Sequence, residues 1–210
     1  MEPIRPVVLE GRHVRLEPLA PHHLGPLQAI VARHRETYRL TAVPAEPQGM
    51  PRYLDQALEQ ARSGAALPFA TVDRAREAVV GSTRFWNLEF WTWPEGHRLQ
   101  RPAGVPDAVE IGFSWLAPEA QRTGVNTEAK LLMLAHAFEV WEVHRVTLKT
   151  DVRNARSRAA IERLGASLDG LLRAASPAAD GAVRDTALYS LLASEWPAVR
   201  ARMRARLERG

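Results

Sequence analysis

A glycine stands at the point where a turn becomes a helix, in the stretch QRTGVNTEAK between Gln121 and Lys130. The start of a helix exposes unpaired backbone amides and the positive end of the helix dipole, and both favour an anion. Gly124 permits close backbone approach or a positive φ angle, and Arg122 adds a positive charge. The consecutive amides from Arg122 to Thr127 therefore predict a phosphate site. A plain strand-to-helix turn capped by Asn126 is the alternative that this spacing leaves open.

The residues after this turn have the period of an amphipathic helix. Its apolar face is predicted to carry Leu131, Leu134, Phe138 and Trp141. The charged side chains are expected to point away from that face, at Glu128, Lys130, Glu139 and Glu142. Lys130 lies one turn after Asn126 and could reach a phosphate, but we expect it to be solvated.

The segment before the turn, VEIGFSWL, alternates as a strand does. One face is predicted to carry Val109, Ile111, Phe113 and Trp115, and the other Glu110, Gly112 and Ser114. Glu110 is thus a carboxylate on the polar face of a strand that leads into the predicted phosphate site.

The other elements indicate an α/β fold, a mixed sheet with helices against it. A strand ends at Pro18, helices follow near residues 24–30 and 51–64, and LPFATV and AVVGSTRF form a hairpin around DRARE. Residues 86–107 are predicted to be a strand end and a covering loop. The strand HRVTLKTD, a short helix over residues 154–165, strands near 167–173 and 184–192 and a terminal helix follow. The predicted order is β-α-α-β-β-β-α-β-α-β-β-α.

The composition, with 46% apolar and 25% charged residues, is that of one globular domain over residues 1–210. No apolar run is long enough to span a bilayer and no export leader is recognisable, so we expect a cytoplasmic protein without a membrane partner. The absence of cysteine excludes disulfides, thiolate nucleophiles and cysteine metal sites. The 28 basic and 24 acidic residues are interspersed, which argues against nucleic acid, and the net charge of +4 would equally suit a polyanionic small molecule.

The segment from Glu110 to Lys130 resembles the acetyl-CoA-binding core of the GNAT acyltransferase superfamily, whose pyrophosphate loop reads Q/R-x-x-G-x-G/A. LEGRHVRLEPL looks like the family's first strand, DVRNARSRAAIERLGA like its next-to-last helix and VRDTALYSLLASEW like its closing strand. The resemblance is closest to the branch of RimJ and RimL, acetyltransferases of ribosomal protein N-termini. It implies a central, mostly antiparallel sheet, splayed at the acetyl-CoA site, with helices on both faces. Asn126 departs from the family pattern of Gly or Ala, so the diphosphate could be held differently.

The resemblance also implies an activity: an N-acetyltransferase that moves an acetyl group from acetyl-CoA to a primary amine in a ternary complex, without a metal or a covalent enzyme intermediate. Backbone amides of the strand end would face the thioester carbonyl. The residues expected at the cofactor are Ser114, Trp115, Leu116, Gln121, Arg122, Thr123, Gly124, Val125, Asn126, Thr127, Asn154 and Ser157.

Two residues are candidates for proton transfer. Glu110 would be the base, directly or through water, and its alternative role is a structural carboxylate paired with an arginine such as Arg84. Ser157 resembles the serine proposed as thiolate proton donor in the RimL-like branch, although a first-turn serine can be only a cap. Asn154 could bond the pantetheine amides, cap its helix, or do both.

Arg84 and Trp86 are candidates for contact with the acceptor amine, although a carboxylate partner is the simpler interpretation of Arg84. Trp86, Trp91 and Trp93 could line the acceptor pocket, form a satellite core or make a dimer contact. The seven histidines, His34 among them, show no metal-ligand spacing, and no metal site is predicted.

The terminal helix is rich in arginine, at Arg200, Arg202, Arg204, Arg206 and Arg209. Their spacing indicates several sides of the helix rather than one stripe, which favours a solvated helix over an RNA-binding one. A protein N-terminal amine is the preferred acceptor. The alternatives are a small-molecule amine, including an antibiotic, and a non-catalytic CoA-binding or regulatory module. The branch often forms dimers, so the resemblance also allows a homodimer.

Overall fold

One mixed sheet organises the computed structural model, which describes residues 1–33, 35–41 and 43–209. The strands of this part of the chain are β1 (Leu9–Glu10), β2 (Val14–Pro18), β3 (Ala66–Asp73), β4 (Ala78–Glu89), β5 (Ala108–Leu116), β6 (Arg145–Asp151), β7 (Ser167–Pro177) and β8 (Val183–Leu192). Their order across the sheet is β1-β2-β3-β4-β5-β6-β8-β7. Neighbouring strands are antiparallel except β5 and β6, which are parallel.

Helices connect and cover the strands. The α-helices are α1 (Leu24–Arg33), α2 (Met50–Arg62), α3 (Gly124–Ala135), α4 (Ala155–Leu164) and α5 (Trp196–Arg209). Short 3-10 turns lie at Pro21–His23, Arg35–Tyr38, Pro47–Gly49 and Pro118–Ala120, and a π-helical turn, His136–Val140, extends α3. No helix in the described ranges is both long and apolar enough to cross a membrane.

The predicted order of elements is confirmed, with the two-residue strand β1 as an addition. The hairpin of β3 and β4 is also confirmed. The irregular segment after Trp86 begins later than predicted, because β4 continues to Glu89 and pairs there with β5. His34 lies outside the described residues.

Neighbouring residues of β4 show that helices cover both faces of the sheet. Thr83 contacts Lys130 and Met133 of α3, whereas the next residue, Arg84, donates a hydrogen bond to Gln60 of α2. Because successive strand residues point to opposite faces, α2 and α3 lie on opposite sides. The α/β fold with helices on both faces is therefore confirmed.

Strands β5 and β6 separate soon after they begin to pair. Their parallel pairing runs from Ala108 with Arg145 to Glu110 with Thr147, and then stops. The rest of β5, as far as Leu116, pairs with β4 alone, while β6 continues beside β8. The predicted splay is thus present, and it opens a cleft beyond Glu110.

A buried carboxylate fastens the turn between β1 and β2 to α3. Glu128 is 7% exposed and accepts hydrogen bonds from the amides of Arg12 at 2.8 Å, His13 at 2.5 Å and Val14 at 2.9 Å. The expectation that Glu128 avoids the buried side of its helix is wrong, because these amides replace the water that a carboxylate otherwise needs. Leu134, with Phe138 and Trp141 beyond the helix, is buried as predicted.

We predict that Glu128→Gln destabilises the fold by about 1–3 kcal/mol, since a carboxamide has one acceptor oxygen and leaves a buried amide unpaired. Urea unfolding of both chains measures the difference. Glu208→Gln, at an exposed position of α5, is the control. Equal unfolding midpoints for the Glu128 variant and the unmodified chain would contradict this role.

Candidate active site

The cleft between the separated strands extends to the start of α3 and along α4 and α5, with a volume of about 1550 Å³. Its charged side chains are nearly all cationic. The cations are Arg122, Lys130, Lys149, Arg156, Arg163, Arg184, Arg202, Arg206 and Arg209. Glu110 is the one carboxylate among the described residues that line it. Because the whole chain has 28 basic and 24 acidic residues, this excess is local, and it favours a polyanionic ligand.

The turn before α3 is capped by Thr123. The Thr123 hydroxyl accepts a hydrogen bond from the Val125 amide at 3.2 Å and donates one to the Ala120 carbonyl at 2.8 Å. Asn126 is the third residue of the helix, so the alternative of a capping Asn126 is wrong. Amides in a first turn have no acceptor inside their own helix, and those of Gly124 and Asn126 belong to residues along the cleft.

Gly124 is required by a close contact, whereas the positive φ angle falls elsewhere. A Cβ atom at Gly124 would lie 2.9 Å from Cδ2 of His13, a distance that real Cβ atoms do not reach. The positive φ angle of the turn, 60°, belongs to Arg122. The turn that Glu128 anchors therefore packs directly on the first residue of α3.

A β-bulge reverses the faces of β5 near its end. Arg84 pairs with Gly112 and Ser82 with Trp115, so Phe113 and Ser114 together lie opposite Thr83. Phe113 has a φ of 51°, which a bulge accommodates.

The bulge separates residues that the sequence pattern groups together. Ser114, after the bulge, contacts Thr83 on the α3 side, and Trp115 donates from Nε1 to the Tyr53 hydroxyl on the α2 side. The prediction that Trp115 shares a face with Val109 is therefore wrong, because an extra residue shifts the alternation.

Lys130 is buried under this bulge. Its Nζ donates hydrogen bonds to Ser114 Oγ at 2.6 Å and to Thr83 Oγ1 at 3.0 Å, and the residue is 5% exposed. The expectation of a solvated side chain is wrong. Burial lowers the pKa of Lys130 to about 7, because removal from water disfavours the charged form.

Glu110 is buried at the point where the strands separate. Its Oε2 atom lies 2.8 Å from Nζ of Lys149, and the residue is 2% exposed. Burial raises the pKa of Glu110 above the usual carboxyl value, although Lys149, Trp86 and Arg184 oppose that shift. The alternative of a pair with Arg84 is wrong, since the cation beside Glu110 is Lys149.

Arg84 is buried with neutral partners. It donates from Nη1 to Gln60 Oε1 at 2.7 Å, and its guanidinium carbon lies 3.9 Å from the centre of the Phe113 ring. The expectation of a carboxylate partner is wrong within the described residues, and Nε and Nη2 have no hydrogen-bond partner there. Contact with an acceptor stays a prediction, and Phe113 is the neighbour of Arg84 that lines the cleft.

The start of α4 lies along the cleft. Asn154 caps this helix, since its side-chain oxygen accepts from the Ser157 amide at 3.0 Å. Its NH₂ group remains a donor, so the expected contact with a cofactor is compatible with capping. Ser157 lies in the first turn and lines the cleft with Asn154.

Most residues expected at the cofactor lie on the walls of this one cleft, although contact with a cofactor stays a prediction. They are Ser114, Trp115, Leu116, Gln121, Arg122, Thr123, Gly124, Asn126, Thr127, Asn154 and Ser157. Trp86 and Glu110 also line it. Val125 does not; it is 3% exposed and lies on a separate, smaller cavity beside His13.

Sequence reasoning missed several cations of the cleft, above all those of α5. Arg202, Arg206 and Arg209 follow the spacing of one helix face and all line the cleft, whereas Arg200 and Arg204 do not, so the prediction that the five arginines lie on several sides of the helix is confirmed. The helical spacing of Arg202, Arg206 and Arg209 is the signal in the sequence that indicates this shared face. The other missed cations are Lys149, Arg156, Arg163 and Arg184.

Trp91 and Trp93 form a satellite cluster at the other end of β5. The Asp107 carboxylate accepts from the Trp91 amide at 2.7 Å and from Trp93 Nε1 at 2.8 Å, and His144 stacks on Trp91. These two tryptophans are absent from the described lining of the cleft. The two tryptophans therefore belong to a satellite cluster in which Trp91 is 38% exposed, and a dimer contact at this cluster stays a prediction.

Glu17, His22 and His23 are close enough together to hold a metal. However, Nδ1 of His23 accepts a hydrogen bond from the Ala20 amide at 2.9 Å, so the proton of a neutral ring sits on Nε2, beside Glu17. A neutral His23 in this arrangement has no lone pair for a metal.

Residues 13–167 match the model of a family described as an acetyltransferase (GNAT) domain. The chain belongs to the GNAT acetyltransferase family. The match confirms the resemblance seen in the sequence and the class of enzyme.

Named relatives agree with this assignment. The Bacillus subtilis (strain 168) protein named "Putative ribosomal N-acetyltransferase YdaF" is 38% identical over 88 residues, which are 42% of this chain and 47% of that protein. The chain thus matches about half the length of this curated relative. A GCN5-related N-acetyltransferase from Brucella melitensis is 29% identical, with a TM-score of 0.80 over 98% of this chain and 87% of that chain.

A second solved structure, Mycobacterium smegmatis RimJ in complex with CoA-disulfide, is 23% identical, with a TM-score of 0.74 over 98% of this chain and 93% of that chain. At this identity the likeness supports the fold alone. The YdaF match is consistent with the predicted RimJ/RimL-like branch of the GNAT family.

We predict that Lys130 makes the stability of this GNAT domain depend on pH. The folded-state pKa of about 7 lies below the unfolded value near 10.4, so between these values the unfolded chain binds more protons and stability rises with pH. In this window the free energy of unfolding of the unmodified chain should increase, relative to that of Lys130→Met, by about 1.4 kcal/mol per pH unit. Below pH about 7 the two curves of free energy against pH should be parallel. Thr83 and Ser114, 2.7 Å apart, can still bond each other in the variant. Parallel curves throughout, from urea unfolding at several pH values, would contradict the assignment.

Proposed function

We propose that this protein transfers an acetyl group from acetyl-CoA to a primary amine by direct attack in a ternary complex, and that the amine is a protein N-terminus. The observation that supports the proposal most is the cleft itself. This cleft lies where β5 and β6 separate, it includes the amides at the start of α3, and its described lining holds nine cations and one carboxylate.

The residues present fit acetyl-CoA. Its diphosphate needs amide donors and positive charge, which the first turn of α3 and Arg122 offer. Its pantetheine arm carries amides that a free strand edge can bond, and β5 has no described strand partner on its β6 side beyond Glu110. Asn154 caps α4 through its side-chain oxygen, so its NH₂ group takes no part in the cap and remains a donor.

The proposed role of each residue in the transfer follows from its position in the cleft. Acetyl-CoA would supply the activated thioester. Glu110 would accept a proton from the amine, and its raised pKa makes it a better base than an ordinary carboxylate. Amides from Ser114 to Leu116 would stabilise negative charge on the carbonyl oxygen. Ser157 would give a proton to the departing thiolate.

The choice of acceptor depends on relatives rather than on geometry. The name of YdaF describes ribosomal N-acetylation, which favours a protein N-terminus over a small-molecule amine or an antibiotic. Thermal shift with acetyl-CoA, followed by release of free CoA with N-terminal peptides and small amines, tests the proposal. Stabilisation with turnover of a peptide is expected. Stabilisation without turnover of any amine would indicate a non-catalytic CoA-binding module.

We predict that Glu110→Gln lowers turnover at least about tenfold and leaves acetyl-CoA affinity nearly unchanged, because the amide cannot accept the amine proton. Since only the ionised base is active, kcat/KM of the unmodified enzyme should rise with pH through the raised pKa of Glu110. Steady-state kinetics over a pH series measure both effects. Unaltered turnover in the variant would remove Glu110 as the base.

For Ser157→Ala we expect a lower kcat with preserved folding, because the helix cap is the Asn154 side chain and not the serine hydroxyl. Circular dichroism checks the fold, and CoA release measures the rate. A rate equal to that of the unmodified enzyme would leave Ser157 without a role in proton transfer.

The arginine stripe of α5 gives a separate prediction. The double variant Arg202→Gln and Arg206→Gln should weaken acetyl-CoA binding roughly tenfold, since exposed charge contacts contribute up to about 1 kcal/mol each. It should also reduce the salt dependence of binding. Arg204→Gln on the same helix is the matched control, because Arg204 is exposed and is not part of the cleft lining. Calorimetry measures acetyl-CoA affinity in the double variant and in the control. Equal losses of affinity would refute a local role for Arg202 and Arg206.

A further inference from the structure

The chain uses lysine in two places only. Of its 28 lysine and arginine residues, Lys130 and Lys149 are the lysines, and both line the cleft. A guanidinium keeps its proton at any physiological pH, whereas an ammonium can lose one and become a nucleophile. The two side-chain amines of this protein therefore both lie where an acetyl donor is proposed to bind.

The two lysines differ in what surrounds them. Lys130 is enclosed, and its Nζ is held by the hydroxyls of Ser114 and Thr83. Lys149 is at the cleft surface, with a side chain 29% exposed, and its Nζ lies 2.8 Å from Oε2 of Glu110. An acceptor amine must come within hydrogen-bond distance of its base, and Lys149 already meets that condition.

The sheet explains how Lys149 reaches this place. Glu110 pairs with Thr147, the last pair before β5 and β6 separate, and Lys149 is two residues further along β6. Paired residues on neighbouring strands share a face, and so do residues two apart on one strand. Lys149 and Glu110 therefore lie on the same side of the sheet, across the opening of the cleft. Arg184, on β8, is the other cation that acts on Glu110.

We propose that Lys149 is itself an acetyl acceptor, so that the protein acetylates its own Nζ at this position when no other amine is present. The inference rests on the proposed function, because it uses the same donor and the same base. Glu110 takes a proton from the Lys149 ammonium, and the neutral Nζ forms a bond to the thioester carbonyl carbon. The carbon–sulfur bond then breaks, and CoA leaves as a thiolate that takes up a proton. The products are acetyl-lysine, CoA with a free thiol and one proton released to solvent.

The reaction has a consequence for the site. Acetyl-lysine carries no charge, so Glu110 loses the cation beside it while it stays buried. Lys130 should remain unmodified, because its Nζ is enclosed, with the residue 5% exposed, and is held by the hydroxyls of Ser114 and Thr83, so a thioester carbonyl cannot approach it. The selectivity between the two lysines is therefore a property of the fold that chemical acylation of an unfolded chain does not share.

The test incubates the full chain with acetyl-CoA alone and follows intact mass, with peptide mapping to assign the site. We expect one acetyl group on Lys149 and none on Lys130, with a first-order rate that does not depend on protein concentration. Lys149→Arg, which keeps the positive charge beside Glu110, should abolish the modification. Glu110→Gln should slow it at least about tenfold. The chain unfolded in urea is the control for uncatalysed acylation, which should not distinguish the lysines.

The outcomes separate this inference from the proposed function. If acetyl-CoA stabilises the protein and a peptide amine is turned over while Lys149 stays unmodified, the inference is overturned and the proposed function stands. If both lysines react as they do in the unfolded chain, or the rate scales with protein concentration, self-acetylation at this site is also overturned. If acetyl-CoA neither stabilises nor modifies the chain, both proposals fail together.

Discussion

The short parallel pairing of β5 and β6 is the constraint on which the rest of the site depends. The two strands stay together only from Ala108 to Glu110 on β5, and beyond that point β5 keeps β4 as its only strand partner in the described part of the chain, while β6 keeps β8. The bulge at Phe113 adds an extra residue to β5 just beyond that point. A bulge bends a strand and increases its twist, and this bulge lies where β5 has already lost β6 as a partner. The cleft is thus a consequence of strand pairing, and the helices only complete its walls.

Electrostatics then give this opening its chemical character. Cations from the turn before α3, from α4, α5, β6 and β8 line the cleft together with one carboxylate among the described residues, Glu110, and Lys130 of α3 adds a buried amine next to the bulge. Burying ionisable groups such as Glu110 and Lys130 disfavours the fold, and they stay buried where neighbouring groups hold them in place. The contacts next to the buried charges are those of Lys130 with Ser114 and Thr83 and of Glu110 with Lys149. Separately, Glu128 binds three amides of the β1–β2 turn, and that turn packs His13 on Gly124. The start of α3 is therefore fixed before any ligand arrives.

The sequence allowed the fold and the part of the cleft wall around the start of α3 to be predicted, because both follow from local patterns. Alternation identified the strands, helical spacing identified α3, and the family resemblance brought Asn154 and Ser157 to the same site as Gly124. The errors have a common cause. Glu128 and Lys130 look like surface residues in any helical pattern, and only tertiary contacts with Val14 and Ser114 reveal that they are buried. The bulge at Phe113 could not be predicted for the same reason. One extra residue moves the following side chains to the opposite face of the sheet, and the composition of the strand carries no sign of it.

The most direct test of the account is a crystal structure of the protein with acetyl-CoA. The account predicts the diphosphate against the backbone amides between Arg122 and Thr127, with the thioester on the β5 side of the cleft near Glu110. A cofactor bound elsewhere, or a start of α3 whose amides are occupied by protein atoms in the complex, would contradict it.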